Sequence, residues 1–340
     1  MKKIGVLLNN IGSPNSASPT DVKKFLAQFL MDEDVISLPW LFRFILVRGI
    51  IVPLRGYSSA EKYKKIWFKE GSPLIVHTRR FAQRLQESLG EAYHVELGMR
   101  YGTPSIEGAM EKFKEEGVEK VIFAPLYPQY AAATTMASQK EFKRVVRELK
   151  LKSNFNPSST DLNPFYEESF FQNFWISQLK DQLSRSWDHI LFSFHGLPES
   201  QVRKTSGCLA SANCCEQKER CALNCYRAQC FQTAYKIAEQ TGLKKSDYTI
   251  SFQSRLGRAK WIQPYTEATL KVLAQSGKKK ILILSPAFVA DCVETLEEIQ
   301  LELREKFIDW GGQELSQISC PNDDLMYSTG FADHLRSLKI

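Results

Sequence analysis

The sequence predicts an α/β protein made of two similar domains, each a parallel sheet covered by helices. Three observations carry this expectation. Short β-branched runs alternate with amphipathic helical patterns, which is how parallel strands joined by crossover helices read. Landmarks recur in the same order in both halves. A strand is followed by Gly12-Ser13-Pro14 in one half and by Gly196-Leu197-Pro198 in the other; Arg100-Tyr101-Gly102 with Pro104 and Glu107 is then matched by Arg255-Leu256-Gly257 with Pro264 and Glu267. The length, 340 residues, also favours two domains over one.

The strands fall at Ile4–Leu8, His94–Leu97, Val121–Pro125, Ile190–Phe194, Tyr248–Phe252 and Ile281–Leu284, where branched apolar residues are bounded by turn formers. Apolar residues at helical spacing place helices over Asp21–Leu30, Val76–Leu89, Ser105–Glu116, Gln139–Leu149, Ala228–Gln240, Glu267–Ser276 and Glu294–Phe307. The polar segment Lys152–Asn163 is the expected divide. In open parallel sheets ligands sit beyond the carboxyl ends of the strands, where strand order reverses, so the loops there are the first places to look for function.

Composition narrows the classes. A hydrophobic share of 43% supports a packed core and excludes wholesale disorder. The apolar stretch Leu38–Leu54 is interrupted by Arg43, Arg48, Gly49 and Pro53, so no membrane-spanning helix is expected. Met1-Lys2-Lys3 leads straight into a strand without a cleavage pattern, which makes a cytoplasmic location the expectation. The net charge of +7 is mild for this length, and no basic run is interleaved with aromatics, so nucleic acid is not expected as a partner. With its three arginines Arg43, Arg48 and Arg55, the segment around 38–54 reads either as a membrane-interface element or as a buried core helix.

Three constellations can carry chemistry. Strand Ile190–Phe194 delivers His195 at its carboxyl end, where an imidazole can act as base or metal ligand near neutral pH; a hydrogen-bonded packing histidine is the alternative. After Ile281–Leu284, the residues Asp291, Glu294, Glu298 and Glu302 recur at spacings of three and four, a carboxylate stripe along one helix face. Like charges at that spacing repel unless cations visit them, although a solvated acidic face would look the same. Finally, five of the eight cysteines fall between positions 208 and 225. Without an export signal, that density reads as a metal site rather than a disulfide framework, and four thiolates can hold an iron–sulfur cluster or a structural zinc.

At this point a resemblance becomes visible. Leu8-Asn9-Asn10-Ile11-Gly12-Ser13-Pro14, Glu70-Gly71-Ser72-Pro73, Gly98-Met99-Arg100-Tyr101, Tyr127-Pro128-Gln129-Tyr130, Ser193-Phe194-His195-Gly196-Leu197-Pro198, Phe252-Gln253-Ser254-Arg255, and Phe288-Val289-Ala290-Asp291 leading to Glu294-Thr295-Leu296 together resemble the ferrochelatase family, enzymes that insert ferrous iron into a porphyrin at the end of haem synthesis. The resemblance implies two Rossmann-like domains with a porphyrin cleft between them. We expect an N-terminal domain over 1–155, a C-terminal domain over 156–315 with a Cys-rich insertion at 203–226, and a segment 316–340 packing back on the first domain. It further implies His195 and Glu294 as the catalytic pair, with Glu298, Glu302 and Asp291 extending the metal and proton path. By the same resemblance Ile11, Arg55, Tyr63, Ser72, Arg100, Tyr101 and Tyr130 line the porphyrin site, and 38–54 forms a lip able to touch the inner face of the membrane peripherally. A [2Fe–2S] cluster is expected on Cys208, Cys221, Cys225 and one of Cys215 or Cys214. Ile11 leans towards protoporphyrin IX, because coproporphyrin-using relatives often carry Tyr there. The alternatives are a coproporphyrin or other tetrapyrrole chelatase and a non-enzymatic tetrapyrrole or iron–sulfur carrier. One departure stands out: Cys292 occupies a position where relatives usually have a second histidine.

Overall fold

The computed structural model describes residues 3–204, 208, 209, 214–216, 225–255, 257 and 259–339. The chain divides into two compact units, one formed by Met1–Tyr127, Ala132–Asn163 and Asn322–Ile340, the other by Pro128–Ala131 and Pro164–Pro321.

The first unit is built on β1 (Ile4–Asn9), β2 (Gly12–Ser13), β3 (Tyr93–Leu97), β4 (Tyr101–Gly102), β5 (Lys120–Pro125) and β6 (Ser158–Asp161). Its main sheet is parallel, in the order β3-β1-β5-β6. Central strand β1 is buried along almost its whole length, which is why its sequence is a continuous apolar run rather than an alternating one. Gly12 opens the small β2–β4 pair, and a Cβ there would sit 1.8 Å from the Tyr101 carbonyl oxygen, so only glycine fits. Helix Pro19–Leu30 starts where Ser18 accepts from Asp21 N–H at 3.2 Å, with Pro19 in the first turn. The C-terminal helix Leu325–Ser337 packs on Pro73–Leu89, and Phe81 meets Phe331 edge-on at 5.4 Å.

The second unit carries β7 (His189–His195), β8 (Tyr248–Gln253), β9 (Lys280–Leu284) and β10 (Glu314–Gln317), again parallel, in the order β8-β7-β9-β10. Counted from the first main strand of each unit, both sheets run second, first, third, fourth. The repeat extends to detail. Met99 N–H donates to the Pro104 carbonyl at 2.7 Å, and Phe252 N–H to that of Pro264 at 2.8 Å. After the third strand of each sheet the chain forms a π-helix that continues as an α-helix: Ala132–Met136 into Ala137–Ser153, and Val293–Leu303 into Arg304–Asp309. The expected helix Glu294–Phe307 is therefore π-helical over most of its length, a form that recurs at functional sites.

Residues 40–66 form three consecutive helical pieces, Trp40–Phe44, the π-helix Ile45–Ile51 and Val52–Ile66. Trp40, Leu41, Phe42, Phe44, Ile45, Ile50 and Leu54 are exposed, Leu54 at 74% of its surface, which rejects the buried-core alternative. The three arginines do not share one environment. Arg48 and Arg55 are exposed, but Arg43 turns inward and donates to the Leu38 carbonyl at 2.8 Å and that of Ile36 at 3.2 Å. Among the described residues no helix is long and apolar enough to cross a membrane.

Candidate active site

In the second sheet the strand order reverses between β7 and β9, and the two residues the sequence singled out most sharply lie at the end of β7 and beyond the end of β9. His195 is the last residue of β7, and the loop after β9 leads through Asp291 and Cys292 to Glu294 in the first turn of the π-helix. Strand β8 bridges them, since Gln253 pairs in register with His195 while its side-chain Nε2 donates to the Glu294 carbonyl oxygen at 2.8 Å.

The His195 ring lies beside Trp261 and Phe288, with centroid distances of 6.2 and 6.3 Å. Its Nδ1 is 2.6 Å from the Gly196 carbonyl oxygen. A carbonyl only accepts, so Nδ1 is the donor there and Nε2 is the ring nitrogen left for other partners. Tyr226 donates its hydroxyl to the His195 carbonyl at 2.7 Å, fixing the backbone beneath the ring.

The carboxylates do not form the uniform stripe that the sequence spacing implied. Asp291 precedes the helix and is buried, with Cys320 N–H 3.4 Å from its Oδ1. Glu298 is gripped at both oxygens by Ser254, whose N–H donates at 2.8 Å and hydroxyl at 2.5 Å; Ser254 adopts a left-handed φ of 65° to do so. Glu302 accepts from Lys306 at 2.8 Å. Cys292 caps the helix reciprocally with Thr295, its N–H donating to Thr295 Oγ1 at 2.9 Å, and burial pushes its thiol well above the ordinary range, with the Glu294 carboxylate adding to the effect. At this position the cysteine is a protonated cap, not a basic nitrogen.

In the first unit, Ile11 follows β1 half-buried, with its N–H on Asn10 Oδ1 at 2.8 Å. Ser72 is buried before helix Pro73–Leu89, and Ser13 donates to its hydroxyl at 2.7 Å. Arg55 is exposed and Tyr63 half-buried on helix Val52–Ile66, the Tyr63 ring edge-on to Trp67. Arg100 and Tyr101 converge on Asp32, Tyr101 through its hydroxyl at 2.9 Å and Arg100 through a charged hydrogen bond. Burial drives the Tyr101 phenol far above its usual range, so that hydroxyl stays a donor. In the second unit, Tyr130 N–H donates to Gln229 Oε1 at 2.6 Å.

A family model described as ferrochelatase matches residues 3–338 of the chain. The chain belongs to the ferrochelatase family. It is 48% identical over 339 residues to a ferrochelatase of Bdellovibrio bacteriovorus, covering 99% of this chain and 100% of the relative. It is 46% identical over 332 residues to one of Pseudomonas fluorescens, covering 96% of each. Among solved structures, SirB from Bacillus subtilis with Fe3+ superposes with a TM-score of 0.53 at 11% identity, covering 98% of this chain and 94% of that one, a likeness of fold.

Against that family background the cysteine segment has its own geometry. Cys208, Cys214, Cys215 and Cys225 are buried; Cys221 lies outside the described residues. Cys225 receives hydrogen bonds from the thiols of Cys215 and Cys208 and from the N–H groups that open helix Tyr226–Thr241. The Cys215 contact, the largest cause, holds Cys225 below the ordinary thiol range, while the same contact pushes Cys215 above it. Arg227 Nη1 lies 2.9 Å from Cys215 Sγ, and Cys214 Sγ lies 3.9 Å from it. Metal-free protein is therefore expected to show a thiolate ultraviolet absorption step below the usual thiol titration, which Cys225→Ser removes. A single step at the ordinary position would refute this coupling.

Gln253, Ser254 and Tyr226 carry no role in the sequence reading. The one signal for the first two is the polar pair Gln253-Ser254 at the carboxyl end of β8, directly after buried Phe252.

Proposed function

We propose that this protein inserts Fe2+ into protoporphyrin IX, forming protohaem and releasing the two pyrrole N–H protons. The observation that carries this reading is the placement of His195 and Glu294 beyond adjacent strands where the sheet order reverses, tied together through Gln253. With Nδ1–H committed to the Gly196 carbonyl, His195 Nε2 accepts a pyrrole proton, and the flanking Trp261 and Phe288 rings keep the imidazole oriented. Glu294 supplies a hard oxygen donor to the arriving ion, as iron stripped of water requires. Glu298, held at both oxygens by Ser254, serves as a fixed anion on the approach, and Glu302 with Lys306 forms its outer end. The porphyrin contacts are proposed to include Ile11, Arg55, Tyr63, Ser72, Arg100, Tyr101 and Tyr130. Anaerobic incubation with Fe2+ and, separately, protoporphyrin, coproporphyrin and sirohydrochlorin tests the reading through the Soret band. Haem formation from protoporphyrin is the expected result; binding without turnover, or turnover of sirohydrochlorin alone, would overturn it.

Among the described residues no group of three or more metal-ligating side chains is arranged to hold an ion; what supports an iron–sulfur reading is that Cys225, stabilised as thiolate, meets the thiols of Cys215 and Cys208. They, with Cys221, are proposed to hold a [2Fe–2S] cluster, which would supply a redox-active structural clasp.

The exposed apolar face of residues 40–54 with Arg48 and Arg55 is proposed to rest peripherally on the inner face of the membrane from the cytoplasm. Trp40→Asp with Phe42→Asp is expected to abolish co-sedimentation with anionic lipid vesicles; unchanged sedimentation would count against the contact.

A further inference from the structure

We propose that Gln253 is the positioning residue that sets the spacing between the His195 imidazole and Glu294. This rests on the reading of those two residues as the working pair. Three hydrogen bonds from one residue join the elements that carry them. The Gln253 carbonyl accepts Gly196 N–H at 2.8 Å, next to His195; its Nε2 donates to the Glu294 carbonyl at 2.8 Å; its Oε1 accepts the Ser193 hydroxyl at 2.6 Å.

The orientation of the amide is not arbitrary. Ser193 Oγ also meets Thr266 Oγ1 at 2.8 Å, and Thr266 Oγ1 meets Ser251 Oγ at 2.9 Å. The Glu294 carbonyl can only accept, so the amide nitrogen faces it and Oε1 faces Ser193, whose single proton it takes, while Ser251 Oγ donates its own to the Phe192 carbonyl at 3.4 Å. That fixes Nε2 on the side of Glu294. A flipped amide would set two carbonyl oxygens against each other and leave the Ser193 proton facing an N–H. All four residues are buried, Gln253 at 3% exposure, so no water replaces a lost partner and the network behaves as a unit. The π-helix start is thereby pinned to the strand next to His195. Ser254 repeats the grip four residues further on, at Glu298.

The test uses the full-length protein. Gln253→Met keeps the length of the side chain and removes the amide; Ser193→Ala leaves the amide in place without the group that orients it. Gln253→Met is expected to lower kcat for iron insertion about 10²-fold, the size of effect a misplacement of about 1 Å produces, while the porphyrin Kd from fluorescence quenching stays within about twofold. Ser193→Ala should lower kcat by about tenfold, and the double variant should be no worse than Gln253→Met alone, because both act through the same amide. An unchanged kcat, a kcat loss matched by an equal loss of porphyrin affinity, or multiplying effects in the double variant would overturn the proposal. If Gln253→Met does not fold, the kcat and Kd of Ser193→Ala decide in the same way. His195→Ala and Glu294→Ala run alongside. Wild-type turnover in both would remove the working pair itself, whereas loss of turnover in both with a normal Gln253→Met would remove the positioning role alone.

Discussion

His195→Ala is expected to cut iron insertion by ~10²–10⁴-fold, the usual contribution of a placed acid–base group, with porphyrin affinity little changed. The separation of the two effects follows from the geometry. The imidazole donates through Nδ1 to the Gly196 carbonyl and presents Nε2 as its only acceptor, so its removal deletes a proton acceptor without touching the elements around it. The backbone under it remains held by Tyr226 at the His195 carbonyl and by Gln253 at Gly196 N–H. The space vacated beside Trp261 and Phe288 is ring-shaped and flanked by aromatics, and added imidazole should enter it and restore part of the rate. Rates are read under anaerobic conditions at saturating porphyrin, with affinity measured separately. Full activity in the variant, or a parallel loss of porphyrin binding, would show that His195 is not the proton acceptor.

Where His195 and Glu294 lie in the fold was legible in the sequence, because turns at strand ends mark the loops of a parallel sheet. β7 and β9 are apolar runs closed abruptly by His195 and by the loop towards Glu294, and the parallel-sheet rule directs attention to those ends. What the sequence hid were interactions between residues far apart in the chain. Gln253 and Glu294 are 41 positions apart, Ser254 and Glu298 are 44 apart, and no local pattern records either pairing. The acidic spacing was real but its meaning was not uniform, since Asp291 turned into the interior while Glu298 and Glu302 acquired partners. In the fold, the missed strands β6 and β10 are the short, polar outermost strands Ser158–Asp161 and Glu314–Gln317, which lack the apolar run that marks a central strand. Helix Ser169–Gln182 was missed for the opposite reason. Phe170, Phe171, Phe174, Trp175, Ile176 and Leu179 are all buried, and a helix covered on most sides shows little amphipathic period. The two-domain repeat, read from glycine and proline punctuation, appears in the structure as matched strand orders and matched π-helices.

Cys225→Ser is expected to yield colourless protein with iron and sulfide lost, whereas Cys230→Ala, one turn along the same helix, should keep both. Cys225 is the hub of the set, receiving Cys215, Cys208 and the first N–H groups of helix Tyr226–Thr241, and a serine oxygen is a poor substitute for the soft thiolate an iron–sulfur group requires. The choice between the adjacent cysteines also follows from contact. Cys215 meets both Cys225 and Arg227, while among the described residues Cys214 meets the set at Cys215, 3.9 Å away, so Cys215→Ser should lose the visible absorption and Cys214→Ser should retain it. Because ligand binding at such a site is folding free energy, the Cys225 variant should also melt at lower temperature than Cys230→Ala. Its turnover should fall too, though less than in His195→Ala, since Tyr226 adjoins Cys225 in sequence and holds the His195 carbonyl from the helix that the cluster would anchor. Stoichiometric zinc in colourless wild-type protein would sink the cluster assignment, and full colour in Cys225→Ser would sink the choice of hub.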